Sequence, residues 1–93
     1  MIPTNRIPTH PGTILVEEFL QPMNLTPETL ATYLNISIKQ INEIIQEKAK
    51  ITPEIAWLLA QAFKTTPQFW MNLQTNYDLA LHKPQEIKQA ITL

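Results

Sequence analysis

The chain contains no cysteine and only one glycine among its 93 residues. The absence of cysteine excludes a disulfide framework, a zinc-thiolate site, an iron–sulfur cluster and a cysteine nucleophile. A chain of this length fits one small domain, which must be stabilised by packing or by association with a partner. The scarcity of glycine argues against a strand-rich fold, because tight hairpin turns usually need glycine.

An excess of charge of one sign is also lacking, since seven Lys and Arg stand against eight Asp and Glu. A hydrophobic fraction of 44% with a net charge of −1 is typical of a globular chain. The balance excludes a protein that holds nucleic acid by bulk positive charge alone. The chain has neither an apolar run of the ~20 residues that span a membrane nor a signal-peptide pattern, so we expect a cytoplasmic protein.

Eight prolines accompany the single glycine, and three of them follow a threonine: Thr26-Pro27, Thr52-Pro53 and Thr66-Pro67. Each pair is typical of a helix start, with threonine as the N-cap and proline in the first turn. Ser37 and Gln40 have the spacing of a capping box and indicate another start. Apolar residues recur at helical spacing between these starts, which predicts an all-α fold. The five predicted helices span about 13–23, 27–34, 38–47, 53–63 and 67–82.

The pattern predicts a single domain over residues 1–93, with a core of about 11–82. The segments 1–10 and 83–93 lack a strong period, and we expect them to be flexible arms.

Residues 27–46 predict a helix-turn-helix, in which the second and third helices meet at a tight turn. Ala31 is small enough to let the two helices approach closely. Asn35 stands at the turn, where the residue must tolerate the left-handed backbone conformation. The apolar residues expected in the angle between the helices include Leu30, Ile41 and Ile44.

If Ile41, Ile44 and Ile45 are buried, the third helix presents an opposite face of side chains that can bond base edges or phosphates. The loop after it adds two lysines within reach of the phosphate backbone. The alternative is a neutral, solvated helix face. The predicted DNA-binding residues are Ser37, Ile38, Lys39, Gln40, Asn42, Glu43, Gln46, Lys48 and Lys50.

Aromatic residues are concentrated in the last two predicted helices, and the fifth helix adds more apolar surface than one small chain can easily hide. We expect the core to take most of these aromatic residues, and self-association through the fifth helix to cover the remaining apolar surface. A two-fold dimer would place two recognition helices ~34 Å apart, in successive major grooves. The predicted dimer residues are Phe69, Trp70, Leu73, Tyr77 and Leu81.

The sequence contains no pattern that indicates an enzyme or a metal site. Glu17 and Glu18 are adjacent and project about 100° apart on a helix, so they do not form a carboxylate pair. His10 and His82 belong to no cluster with metal-ligand spacing, and we expect surface or capping roles for them. We therefore expect no catalytic residue, metal, cofactor or small-molecule substrate.

Several separated motifs occur in a characteristic order over roughly residues 6–81. They are His10 to Leu15, Glu17 to Leu20, Leu30-Ala31, Ile41 to Ile44, Ile51-Thr52, Phe69 to Gln74 and Tyr77 to Leu79. This series resembles the HigA antitoxins, also called virulence-associated protein I. That family is a branch of the Xre/Cro-type helix-turn-helix proteins with a lambda-repressor-like fold.

The resemblance implies a homodimeric antitoxin that represses its own operon at a palindromic DNA operator. It also implies that the protein binds and silences a HigB-type toxin, a ribosome-dependent mRNA endonuclease of the RelE-like fold. The family's recognition helix maps onto Ser37 to Gln46, and its dimer-forming helix maps onto Phe69 to Leu81. The chain departs from the family at Gln40, where arginine is frequent, and at Glu47, where glycine is frequent.

Two other functions stay open at this point. One is a transcriptional regulator of the same fold without a toxin partner. The other is a helical protein-interaction module without DNA binding, which the net charge of −1, Gln40 and Glu47 favour. The charge is mildly segregated, because residues 37–50 carry three Lys against two Glu while residues 1–36 carry one Arg against three Glu.

Overall fold

The computed structural model describes residues 8–86 and 88–92, and the regular structure within them is helical throughout. This confirms the all-α prediction. A short first helix is continued directly by a π-helical segment, and four further α-helices follow. The elements are α1 Pro11–Ile14, the π-helical segment Leu15–Leu20, α2 Pro27–Leu34, α3 Ile38–Ile45, α4 Pro53–Phe63 and α5 Pro67–Leu81.

The predicted helix starts at the three threonines and at Ser37 are confirmed. Thr26, Thr52 and Thr66 each accept the backbone N–H three residues ahead, and a proline occupies the first helical position in each case. Ser37 and Gln40 form both halves of a capping box at the start of α3. These starts follow from side chains and backbone groups that are neighbours in sequence.

The predicted first helix, 13–23, is wrong at both ends. It starts at Pro11, because the Nδ1 atom of His10 accepts the N–H of Gly12 at 2.9 Å and caps the helix. The capping role expected for His10 is therefore confirmed, although its side chain is buried rather than on the surface. The helical segment ends at Leu20, before a turn in which Asn24 adopts a left-handed φ of 56°.

The core lies where the helices converge around Trp70 of α5, whose side chain is fully buried. The indole N–H of Trp70 donates to the Thr65 hydroxyl at 2.8 Å, so the polar atom of this large side chain is satisfied. The rest of the buried core consists of Leu15, Leu20, Leu30, Ala31, Leu34, Ile41, Ile44, Ile51, Ile55, Ala56 and Leu59.

The prediction that Trp70 belongs to a dimer interface is wrong, because its own chain buries it completely. Leu73 and Tyr77 lie on the same side of α5 as Trp70, and both are half-buried. Leu73 packs against the core, and the Tyr77 ring meets the His10 ring edge-on at a centroid distance of 4.8 Å. Phe69 keeps 38% of its surface exposed, and Leu81, at the end of the helix, keeps 46%.

The described residues after α5, 83–86 and 88–92, are exposed and form no helix. Most of the predicted N-terminal arm, 1–7, lies outside the described residues. No helix in the described part of the chain is long and apolar enough to cross a membrane.

The single glycine lies where α1 meets the end of α3. A Cβ atom on Gly12 would overlap the backbone carbonyl of Ile44, so no other residue fits without movement of the backbone. The φ angle of Gly12 is not positive, so space rather than conformation requires glycine here. This contact between two backbones fixes how closely α3 approaches the first helix.

We expect Gly12→Ala to lower the free energy of unfolding by ~1–3 kcal/mol or more, because the added methyl group must displace the backbone at Ile44. Urea denaturation followed by circular dichroism measures the change. Thr9→Ala, at a nearby exposed position, is the control and should leave the unfolding midpoint where it is. An unchanged midpoint for Gly12→Ala would contradict the close approach of α1 and α3.

Candidate nucleic-acid interface

The predicted helix-turn-helix is present, formed by α2, a three-residue connection and α3. Asn35 caps α2 in the left-handed conformation, with φ 58° and ψ 43°, which confirms its predicted role at the turn. The N–H of Ile36 donates to the carbonyl of Ala31 at 3.1 Å and closes the turn. Buried side chains from both helices fill the angle between them, and they are Leu30, Ala31, Leu34, Ile41 and Ile44.

The polar side chains predicted to contact DNA line the outward side of α3. Four consecutive residues at its start, Ser37, Ile38, Lys39 and Gln40, are exposed, and Gln46 is exposed after its end. Asn42 and Glu43 are half-buried at the edges of this surface. The outward face thus carries one cation, one carboxylate and several amide groups, which suits hydrogen bonding to base edges.

Two of these side chains already have a structural role. The Ser37 hydroxyl accepts the N–H of Gln40 at 3.2 Å, and the Oε1 atom of Gln40 accepts the N–H of Ser37 at 3.3 Å. In this capping box Gln40 can still offer its amide NH2 group as a donor, but bidentate reading of adenine would also need its oxygen. The side chains of Lys39, Asn42 and Gln46 make no hydrogen bond within the described residues, so α3 can direct them to DNA without losing its cap.

Residues 47–50 follow α3 and bring two lysines beside its outward face; we call them the phosphate loop because Lys48 and Lys50 are predicted to contact the DNA backbone. Glu47 opens the loop in the left-handed conformation at φ 63°, a strained choice for a non-glycine residue. The N–H groups of Lys48 and Ala49 both donate to the carbonyl of Glu43, at 2.8 and 3.1 Å, and tie the loop to α3. Lys48 and Lys50 are exposed, as contacts to phosphate require.

Side chains of α5 hold the phosphate loop from behind. Gln74 is buried, and its Oε1 atom accepts the N–H of Ile51 at 2.8 Å, directly after the loop. Its Nε2 atom donates to Asp78 Oδ1 at 3.0 Å, and Asp78 Oδ2 lies 3.4 Å from the Nζ atom of Lys50. At the other end of the loop, the Tyr77 hydroxyl donates to the Glu47 carboxylate at 3.5 Å.

The sequence reasoning did not find the roles of Gln74 and Asp78. The available signal was a glutamine and an aspartate spaced by four on the otherwise apolar side of the predicted fifth helix. Such polar residues need partners when they are buried. The backbone N–H that Gln74 accepts belongs to Ile51, 23 residues earlier in the chain, so spacing alone could not identify this partner.

His10 lies against this cluster in its neutral form. Its Nδ1 atom accepts a hydrogen bond, so its proton resides on Nε2. Burial lowers the pKa of His10 below its ordinary value, although the carboxylates of Glu47 and Asp78 act in the opposite direction. Protonation would therefore place a buried charge next to the start of α1 and remove its cap.

The stability of the protein should fall as the pH decreases below about 6.5, the ordinary pKa of histidine. In that range the unfolded chain binds a proton at His10 that the folded chain resists, so acid favours unfolding. Above this pH, His10 is neutral in both the folded and the unfolded state, so it contributes nothing to the pH dependence of stability. The His10→Asn variant keeps a capping side chain that does not take up a proton. When the pH is lowered, its free energy of unfolding, measured with denaturant, should therefore decrease less than that of the wild type. Parallel pH profiles for the two proteins would contradict this role of His10.

Comparison with known proteins places this geometry in a family. The helix-turn-helix family matches residues 16–70. Virulence-associated protein I of Dichelobacter nodosus is 42% identical, over 96% of this chain and 82% of that protein.

Two solved structures with DNA have the same fold. The antitoxin HigA of Pseudomonas aeruginosa with the higBA promoter is 43% identical, with a TM-score of 0.78 over 80% of each chain. The antitoxin GraA in complex with its operator is 30% identical, with a TM-score of 0.83 over 99% of this chain and 100% of that chain. The chain therefore belongs to the helix-turn-helix family, in the branch that contains the HigA antitoxins.

Proposed function

We propose that the protein is a homodimeric antitoxin that binds a palindromic operator through α3 and represses its own toxin–antitoxin operon. The observation that carries the proposal is the outward face of α3, which presents Lys39, Asn42 and Gln46 from a well-packed helix-turn-helix. The relatives solved with promoter and operator DNA support it. The protein acts by binding, in the cytoplasm, without a catalytic residue, a cofactor or a metal.

The proposed contacts divide into base readout and backbone positioning. Asn42 and Gln46 suit adenine, while Lys39 suits guanine and Glu43 suits the amino group of cytosine. Ile38 is 37% exposed and offers an apolar surface to a thymine methyl group. The positioning contacts come from Lys48 and Lys50 and from the capping pair Ser37 and Gln40.

The weak positive charge of residues 37–50 requires two copies on one operator. Three lysines against two glutamates over this segment neutralise few phosphates, so one protomer alone should bind weakly. A two-fold dimer doubles the contacts and matches the symmetry of a palindrome.

We place the dimer surface on the outer side of α4 and α5, with Phe69 at its edge. Leu81 lies about 20° from Trp70 around the helix, beside the phosphate loop, and is not part of this surface. Leu79 is 67% exposed. It follows the buried Trp70 by nine residues, and at about 100° per residue this places it on the opposite side of α5. Trp57 of α4 is 59% exposed, and Met71 of α5 lines the same shallow groove. Exposed apolar side chains of this size are typical of a protein interface.

Two observations support the proposal of a toxin partner, namely the resemblance to HigA and the uneven distribution of charge along the chain. The segment 1–36 carries a net charge of −2, from one arginine and three glutamates. An acidic surface suits a basic protein that handles RNA. A neighbouring reading frame for a small basic protein would favour the antitoxin, whereas a solitary gene would favour a regulator without a toxin.

We expect Lys39→Ala to weaken operator binding roughly 5- to 150-fold and to relax sequence preference, because it removes a base-reading side chain (~1–3 kcal/mol). Lys39 is exposed, so the fold should be unaffected. Gel-shift titration against the protein's own promoter region measures the change. Lys88→Ala, which removes an exposed lysine from the C-terminal segment, is the matched control and should bind as the wild type does.

Equal binding by both variants would contradict our assignment of α3 as the reading helix. If micromolar wild-type protein does not retard the promoter fragment even at low salt, the interaction module without DNA binding becomes the better account.

A further inference from the structure

Asp78 is placed between the phosphate loop and the core in a way that DNA binding alone does not explain. Its Oδ1 atom accepts from Gln74 Nε2 at 3.0 Å, and its Oδ2 atom lies 3.4 Å from Lys50 Nζ. The Asp78 side chain is 29% exposed and the Lys50 side chain is 67% exposed. The carboxylate is thus fixed from within, while the lysine reaches it from the solvent side.

Gln74 sets the geometry of this ion pair from both directions. It is 4% exposed and accepts the backbone N–H of Ile51, the residue that follows Lys50, at 2.8 Å. The same amide group donates to Asp78. One buried side chain therefore fixes both the backbone next to the lysine and the carboxylate that the lysine meets.

An ammonium group held by a carboxylate is not fully available to a phosphate. Both anions accept charge-assisted hydrogen bonds from the same Nζ atom. Because Lys50 is exposed and its stem has several rotatable bonds, it can leave Asp78 for the DNA backbone at the cost of the ion pair.

We propose that Asp78 competes with DNA phosphate for Lys50 and thereby limits how tightly the phosphate loop holds the operator. The inference rests on the proposed function, since it assigns a regulator of affinity to the same DNA-binding surface. Asp78 does not touch DNA in this account and acts as a positioning residue through Lys50.

Asp78→Asn tests the competition with little change in shape. Asparagine keeps an oxygen that accepts from Gln74 and removes the charge that holds Lys50. We expect operator affinity to rise roughly 2- to 5-fold at low salt, the range expected from an exposed ion pair. The plot of log affinity against log salt concentration should become steeper by up to about one unit, which corresponds to one additional phosphate contact. The slope is measured between about 50 and 200 mM salt.

Two further variants separate this competition from a general effect of charge. Glu54→Gln removes the same charge from an exposed position in the first turn of α4 and should leave the salt slope unchanged. In a Lys50→Ala background, Asp78→Asn should bring no gain beyond that of Glu54→Gln. Circular dichroism checks that each variant is folded.

Equal gains from Asp78→Asn and Glu54→Gln would overturn the inference, as would a gain from Asp78→Asn that persists without Lys50. If the wild type binds its operator and Asp78→Asn binds no more tightly, the inference alone fails. If the folded wild type does not bind the operator at all, the proposed function fails as well.

Discussion

The approach of two backbones at Gly12 is the constraint on which the placement of α3, the proposed reading helix, depends. The carbonyl of Ile44 occupies the space that a side chain at position 12 would need, and the same carbonyl accepts the N–H of Glu47 at 3.1 Å. This one group therefore meets α1 and also closes the end of α3. Because α3 is only eight residues long, packing rather than its own helical stability must fix its direction.

The only glycine in the sequence stands at position 12, where there is no space for a side chain, so other residue types must adopt the left-handed conformation at the turns. Among the residues that the structure describes, these left-handed positions are Asn24, Asn35, Glu47 and Lys64. Asparagine adopts this conformation at modest cost, whereas glutamate and lysine are less suited to it. At Glu47 the strain falls next to the recognition helix, where contacts from Tyr77, Gln74 and Asp78 of α5 hold the loop. The helix that we propose for dimerisation thus also supports the loop that we propose to contact DNA.

The parts of this structure that follow from local chemistry could be predicted from the sequence. The threonine caps, the capping box of α3 and the left-handed Asn35 each depend on residues a few positions apart. The start of the first helix could not be predicted, because the cap at His10 is a buried ring held against Tyr77 from the far end of the chain. The apolar pattern of α5 correctly indicated a buried face around Trp70. It did not reveal whether a second copy or its own chain covers that face.

The candidate site divides in the same way. The exposed face of α3 follows from its helical period once its buried residues are known. The contacts between α5 and the phosphate loop could not be read in advance, since they join residues 23 to 30 positions apart. Only the folded chain brings Gln74 and Asp78 beside Lys50.

The central claim is that two copies of α3, fixed by the crossing at Gly12, read one operator together. Hydroxyl-radical footprinting of the wild-type protein on its promoter DNA tests this most directly. We expect two protected segments on one face of the duplex, separated by one helical turn or ~34 Å. A single protected segment, or uniform protection without sequence preference, would contradict it.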